Sequence, residues 1–181
     1  MLLVTLALLA ACSSRQVQDS LVGSTAQRLV THAIDQLIDG LPDKDFDALR
    51  GQSIYLQSHF IERDEIRNYS DQRLAIELQR RFGIRLSDDP GHADQILNVF
   101  YTSLATDQSL LGFYLPLGVV PGVDEGTRIN LITWEQFHGV AEMYYFLGAS
   151  GSEQRGALIQ GRSRTDALGL PIITIPISNL D

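Results

Sequence analysis

Residues 94–105 read DQILNVFYTSLA, and in this stretch apolar side chains occupy both sets of alternating positions. Side chains two residues apart lie on the same side of an extended chain. A strand with apolar side chains on both sides is typical of one that is covered on both faces. One side would carry Leu97, Val99 and Tyr101, and the other would carry Ile96, Phe100 and Leu104. We therefore expect residues 94–105 to form a central strand of a sheet.

The segments before this strand predict a strand–helix–strand unit. Residues 52–61 alternate in the way a strand does, and residues 70–82 carry apolar side chains at helical spacing. Ser70 has the chemistry of an N-cap for this helix, and Gly83 has the conformational freedom to end it.

A longer amphipathic helix is predicted over residues 20–39, where apolar side chains recur every three to four positions. Gly40 and Pro42 follow at the place where such a helix would end. The apolar stripe packs either on the sheet of this domain, which we favour, or on another protein. Its members are Leu21, Val22, Ala26, Leu29, Val30, Ala33, Ile34, Leu37 and Ile38.

Three further strands are predicted over residues 128–136, 137–149 and 157–165, with residues 150–154 as a hairpin turn. Helices early in the chain followed by strands in series indicate the α+β class. The expected architecture is an amphipathic amino-terminal helix, a strand–helix–strand unit and antiparallel late strands in one small sheet domain. Alternation would bury about half of the aromatic side chains in these strands. An aromatic binding surface is the alternative left open for Trp134, Phe137, Tyr144, Tyr145 and Phe146.

Residues 109–123 are apolar but are interrupted by three glycines and two prolines. We interpret this segment as a hydrophobic loop, because these residues disfavour both a regular strand and a membrane-spanning helix. Such a loop either folds down as a lid or stays exposed as a patch for a partner, a ligand or a membrane. Residues 170–180, with two prolines, are expected to form an extended edge segment. The side chains expected to contact a partner or ligand are Leu111, Phe113, Tyr114, Leu115 and Leu117.

Composition limits the classes of partner. The chain has 181 residues, of which 44% are hydrophobic and 20% are charged, as in ordinary packed domains. Its formal charge of −8 makes nucleic acid and bare anionic lipid surfaces poor partners. The single cysteine, Cys12, excludes a disulfide within the chain.

One acidic motif has the spacing that opens a calcium-binding EF-hand. Its carboxylates belong to Asp43, Asp45 and Asp47, but Ala48 and Ile54 stand where that loop needs glycine and glutamate. We therefore interpret the motif as a solvated acidic turn.

Two other motifs match known sites only in part. His92 and Asp94 could contribute to a divalent-metal site, but the other three histidines fall in separate predicted elements. Residues 148–152 place a serine among glycines, but a strand is expected after them, whereas a nucleophile elbow leads into a helix. We expect turns at both places, and we expect no catalytic residue, metal or cofactor.

The first residues have the pattern of an export signal. Residues 2–11 are apolar apart from Thr5, a length that suits a signal peptide and is too short to span a bilayer. Residues 9–12, Leu-Ala-Ala-Cys, resemble the lipobox of bacterial lipoproteins, in which the cysteine is acylated. The alternative is a buried amino-terminal helix with Cys12 in the core.

The lipobox resemblance implies a division of the chain. Residues 1–11 would be the signal peptide, residues 12–19 a lipidated linker, and residues 20–181 a single periplasmic α+β domain. In lipoproteins of this kind a diacylglyceryl group on the cysteine gives a stable membrane anchor. The residue after the cysteine is Ser13 rather than aspartate, which implies delivery to the outer membrane.

The order of predicted elements, with residues 93–97 (ADQIL) entering the central strand, resembles small proteobacterial lipoproteins whose domains have no assigned function. It is more distantly similar to the lipopolysaccharide-assembly lipoprotein and to curli-secretion lipoproteins, and element order carries over no functional residue. The favoured hypothesis is a non-enzymatic lipoprotein that braces or assembles an envelope complex and contacts an envelope protein. The alternatives are a small-molecule or lipid-binding module with residues 109–123 as its lid, and an envelope hydrolase.

Overall fold

The computed structural model describes residues 13–17, 23–60, 65–117, 121–122 and 128–177. Within these ranges the chain forms three helices and a mixed sheet, which confirms the predicted α+β class. The predicted signal peptide and the predicted lipid attachment at Cys12 lie outside the described residues.

The elements follow the order expected for an α+β chain. The helices are α1 Ser24–Asp39, α2 Asp43–Phe46 and α3 Glu65–Arg80, with 3-10 turns at Asp47–Leu49 and Pro90–His92. The strands are β1 Ser13–Val17, β2 Ser53–His59, β3 Arg85–Ser87, β4 Gln95–Pro116, β5 Arg128–Gly148, β6 Gln154–Gly169 and β7 Thr174–Pro176. The first strand thus forms within the predicted linker.

The described strands pair in the order β3-β2-β4-β5-β6-β7, and β1 also pairs with β4. β2 runs parallel to both β3 and β4, while β1 is antiparallel to β4 and β7 is antiparallel to β6. The central position predicted for residues 94–105 is confirmed, because β4 has paired neighbours on both sides. The expected cover on both faces is wrong, since Leu97, Val99 and Tyr101 are buried whereas Ile96 and Phe100 are only partly buried. The short β7 ends the sheet, as expected for the proline-containing segment near the carboxyl end.

The chain divides into two compact units. One comprises residues 1–29, 106–138 and 164–181, and we call it the hairpin unit because it holds the second half of β4 and the first half of β5, which are neighbours in the sheet. The other comprises residues 30–105 and 139–163, and we call it the helical unit because it holds α2, α3 and most of α1.

The core of the helical unit lies between its helices and one face of its sheet. The described part of the α1 stripe packs on this sheet, as we favoured, since Val30, Ala33, Ile34, Leu37 and Ile38 are buried in one cluster with strand residues. Two predicted members of the stripe, Leu21 and Val22, lie outside the described residues. The helix also approaches β6 closely, because a Cβ atom at Gly161 would overlap the carbonyl oxygen of Ala33 and the amide nitrogen of Leu37. Glycine at this position therefore sets the distance between helix and sheet.

Helix α3 begins earlier than its pattern predicts. The prediction that Ser70 is its N-cap is wrong, because the helix is already formed at Glu65 and Ser70 is buried within it. The predicted end is confirmed: Gly83 adopts φ +65°, and its N–H donates to the carbonyl oxygen of Gln79 at 3.1 Å. This is the left-handed helix cap that glycine favours.

The prediction that residues 109–123 form a loop is wrong for their first half, because β4 continues as a regular strand to Pro116. Gly112 does not break the strand: a Cβ atom there would overlap the carbonyl oxygen of Ile132 and the Cα of Thr133, so glycine is needed for the approach of β5. Pro116 stands at the last position of the strand, where a missing N–H is tolerated. Residues 118–120 and 123–127 lie outside the described residues.

Residues 128–149 were expected to form two strands but form a single one, β5, which runs through the predicted break at residues 136–137. The turn after it is confirmed, since the N–H of Ser152 donates to the carbonyl oxygen of Ala149 at 2.9 Å and β6 begins at Gln154. Two long strands joined by this turn therefore replace three shorter ones.

Candidate functional site

The hairpin unit carries exposed large apolar side chains on both faces of its sheet: Ile129 and Leu131 lie on the same side of β5 as Thr133, and a larger set lies on the opposite side. Five members of the larger set are each 39–54% exposed, although the backbone that holds them is regular strand. We call this set the exposed apolar face, and its members are Leu111, Phe113 and Leu115 on β4 and Ile132 and Trp134 on β5.

The pairing of β4 with β5 puts these five side chains on the same side. Gly112 lies against the backbone of Thr133, and residues directly opposite each other on paired strands share a face. Neighbours one position away point to the other face. Leu111 and Phe113 therefore lie on the same side as Ile132 and Trp134, while Thr133 lies on the opposite side and is fully buried.

The same side continues onto the last two strands. Ala167 and Gly169 of β6 are buried, so Leu168 between them points to the open side, and Ile175 of β7 pairs with Leu168 in register. A Cβ atom at Gly169 would overlap the Thr133 hydroxyl, which places the buried sides of β5 and β6 together. The side of the sheet that carries Leu168 thus exposes several large apolar side chains, while Leu110, Thr133 and Gly169 are buried on the other side.

Of the five residues predicted to contact a partner, Leu111, Phe113 and Leu115 lie together on this face. Leu117 follows the end of β4 and is half-exposed, and the side chain of Tyr114 lies outside the described atoms. Ile132 was missed by the sequence reasoning, and Trp134 was considered only among the late aromatic residues. No sequence signal identifies them as neighbours of Phe113, because that depends on the register of the β4–β5 pair.

β1 brings the predicted anchor end of the chain to the same place. In its antiparallel pairing with β4, Ser13 is the partner of Gly112 and Ser14 is the partner of Leu111. Residue 13 therefore lies beside the strand segment that carries the exposed apolar face.

The late aromatic side chains divide between core and surface, as alternation predicts. Tyr145 is buried in the core, whereas Tyr144 and Phe146 lie half-buried on the opposite face of the helical unit's sheet. There Phe100 stacks on Tyr144, with ring centroids 5.1 Å apart and planes inclined by 5°.

This stack extends in both directions. The ring of His59 stacks on Phe100 with centroids 4.5 Å apart, and the guanidinium of Arg155 lies 5.0 Å from the centroid of Tyr144. The flat faces of Phe100 and Tyr144 contact other members of the stack, so mainly the edges of the rings are accessible to a partner. We therefore interpret the stack as a stabilising feature of this sheet face.

A partly buried polar cluster in the helical unit links α3 to the sheet. Ser58 donates to Asp71 Oδ2 at 2.6 Å, and the Tyr101 hydroxyl donates to Asp71 Oδ1 at 3.0 Å. Burial raises the pKa of the Asp71 carboxyl, and the two hydroxyl donors and Arg67 oppose that rise. Burial, followed by the Asp71 charge, also holds the pKa of Tyr101 far above its usual range. Both donors thus hold a partly buried carboxylate in place.

The acidic motif after α1 does not converge on one point. Asp43 forms an ion pair with Arg81 at 2.6 Å, whereas Asp45 accepts a 2.5 Å hydrogen bond from the hydroxyl of the core residue Tyr145. Burial, followed by the Asp45 bond, holds the pKa of Tyr145 above its usual range. Asp45 therefore links α2 to β5, and the two carboxylates have separate structural roles.

His92 and Asp94 also have separate partners. Nδ1 of His92 lies 2.7 Å from Asp89 Oδ2, and Asp89 additionally caps the short helix at residues 90–92. Asp94 Oδ2 accepts bonds from the N–H and the hydroxyl of Ser53, both at 2.8 Å, which lowers the pKa of Asp94. These contacts form the predicted turn into β4.

Neither the general features of the described residues nor comparison with known proteins assigns a function to this chain. No helix in the described part of the chain is long and apolar enough to cross a membrane. The described residues also contain no group of three or more histidine, cysteine or acidic side chains arranged to hold a metal ion. Comparison with protein-family models and with curated proteins finds no match to this chain.

Proposed function

We propose that this chain is a lipoprotein of the bacterial outer membrane, anchored by a lipid on Cys12 and facing the periplasm. Its folded part is a non-enzymatic scaffold or assembly component of the envelope, which acts by binding. The lipobox residues support the anchor, and the exposed apolar face supports the binding role.

The exposed apolar face is the observation that carries the proposal. A contiguous set of large apolar side chains on a monomer surface is characteristic of an interaction site. Here the backbone behind the set is hydrogen-bonded strand, so little conformational entropy is lost when a partner binds. The polar clusters at Asp45, Asp71 and Asp94, by contrast, are engaged in holding the fold together.

A ligand-binding module with residues 109–123 as its lid is less well supported. A lid needs a segment that can move away from the domain, but residues 108–112 pair with β1 on one side and β4 pairs with β5 on the other. Opening would break these backbone hydrogen bonds. We therefore retain the scaffold as the single proposed function.

The anchor is tested by Cys12→Ala, with Ser13→Ala as the matched control. Loss of the thiol removes the acyl acceptor, so we expect the Cys12→Ala chain to stay unprocessed or to become soluble, while the control remains lipidated. Mass spectrometry of the amino-terminal peptide and fractionation of envelopes measure both properties. Normal processing and membrane retention of Cys12→Ala would refute the lipoprotein assignment.

The binding role is tested with a photoreactive amino acid placed at Phe113 or, as a control, at Leu158. Leu158 is 55% exposed and belongs to the helical unit. In intact envelopes we expect reproducible crosslinks to an envelope component from position 113 and few from position 158. Equal crosslinking at both positions, or none at either, would contradict a role for the exposed apolar face.

A further inference from the structure

The register of β1 fixes the place where an acyl group on Cys12 would enter the fold. Ser13 is the partner of Gly112, which lies between Leu111 and Phe113 on β4. Cys12 is joined to Ser13 by one peptide bond, and consecutive Cα atoms are about 3.8 Å apart. A lipid on the residue bonded to Ser13 would therefore be attached next to the strand segment that carries the exposed apolar face.

We propose that the exposed apolar face binds the surface of the lipid bilayer that holds the anchor, so that the hairpin unit lies on the membrane. This inference rests on the proposed lipidation of Cys12 and names the component that the face contacts. If the lipid is attached next to the exposed apolar face, its insertion into the bilayer keeps that face close to the same membrane surface.

The composition of the face suits the boundary between headgroups and acyl chains. Leucine, isoleucine and phenylalanine side chains gain from leaving water there, and tryptophan is enriched at this depth. The charged side chains on the same side of β6, Arg164 and Asp166, form two hydrogen bonds to each other at 2.7 and 2.8 Å. Attraction to charged headgroups is thus a small part of the interaction, and binding is expected to be insensitive to salt.

The short tether removes the need for a high intrinsic affinity. A single acyl chain, which buries a comparable set of methylene groups, binds membranes only marginally, with an association constant of roughly 10⁴ M⁻¹. When the second contact becomes intramolecular, its effective concentration reaches the millimolar range for short linkers. The face would therefore be weak in isolation and occupied in the anchored protein.

Trp134 is the only tryptophan of the chain and lies on this face, so it serves as an intrinsic probe. The purified, lipidated mature protein is reconstituted into zwitterionic phosphatidylcholine vesicles with and without brominated acyl chains, which quench tryptophan at short range. We expect a blue-shifted emission of Trp134 and the loss of most of its fluorescence with brominated lipid. Both effects should be the same in 1 M salt.

Two variants serve as matched controls. In the double variant Trp134→Phe, Ile76→Trp, the single tryptophan is moved to an exposed position of α3, the helix that packs on the buried face of the helical unit's sheet, and we expect little quenching. Phe113→Ser combined with Leu115→Ser should reduce Trp134 quenching severalfold while the melting temperature falls by roughly 4–8 °C, as expected for the truncation of two half-exposed side chains. Leu158→Ser should lower the melting temperature by a similar amount per side chain but leave the quenching of Trp134 unchanged.

The outcomes separate this inference from the proposed function. If the protein carries no lipid and does not enter vesicles, the lipoprotein assignment fails, and this inference fails with it. If the protein is anchored but Trp134 is not quenched, the inference is overturned alone. Crosslinks from position 113 exclusively to a protein, to a second copy, or to residues 2–11 of the same chain would also overturn it.

Discussion

Leucine-to-alanine changes at Leu37 and Leu115 remove the same atoms from a core position and from the exposed apolar face. Leu37 on α1 is fully buried in the core cluster of the helical unit, whereas Leu115 on β4 is half-exposed. If the exposed apolar face is in contact with solvent, the two changes must differ strongly in their effect on the free energy of unfolding.

The expected magnitudes follow from burial. Leu37→Ala should lower the free energy of unfolding by about 2–5 kcal/mol, because lost transfer energy is joined by the cost of a cavity. Leu115 keeps about half of its surface in water, so its truncation forfeits about half of the 1.5–3 kcal/mol for full burial, or roughly 1 kcal/mol. At about 2–4 °C per kcal/mol for a chain of this size, melting temperatures should fall by roughly 4–20 °C and 2–4 °C respectively.

Thermal and urea unfolding of both variants, followed by circular dichroism in the Cys12→Ala background, measures these differences. Equal urea dependence of the free energy of unfolding would show that native and unfolded states expose the same surface in each variant. A drop for Leu115→Ala as large as that for Leu37→Ala would refute the reasoning, because the residue would then belong to a core.

Three further changes test individual contacts. Gly161→Ala should lower the melting temperature markedly, since the added methyl group would displace α1 from β6. Gly151→Ala, in the exposed turn, is the control, and its melting temperature should fall less. Tyr145→Phe removes the hydroxyl that donates to Asp45 and should lower the free energy of unfolding in urea by about 0.5–1.5 kcal/mol. An unchanged free energy of unfolding would show that this hydrogen bond does not stabilise the fold. The Asp94 carboxyl has a pKa lowered below its ordinary value of 3.8 by bonds from Ser53, so its stabilising effect is present above that value and is lost as the pH falls through the folded-state pKa. Asp94→Asn should therefore flatten the acid side of the stability profile below about pH 4, and an unchanged slope there would contradict this assignment.

Periodicity was sufficient to predict the elements whose partners are local. The stripe of α1 identifies both the helix and its buried side, because a 3.6-residue repeat creates one apolar face that must be covered. The strand at residues 94–105 and the cap at Gly83 were predicted for similar reasons, since both depend on a residue and its near neighbours.

The errors arose where a residue's environment comes from a distant strand. Gly112 and Pro116 have the composition of a loop, but Gly112 accommodates the backbone of β5 and Pro116 stands where the strand ends. Ser70 has the chemistry of a cap, yet packing places it inside a helix that begins five residues earlier. Local propensity is a weak prior that tertiary contacts override.

The sequence by itself determined the α+β class, the apolar stripe of α1, the central strand and the set of apolar residues at 111–117, because these depend on residue type and spacing. Only the tertiary structure decided that Phe113 and Leu115 share a face with Ile132 and Trp134, and that Ser13 pairs with Gly112. Strand register is a long-range property: a shift of one residue would send every side chain of β4 to the opposite face without changing its composition.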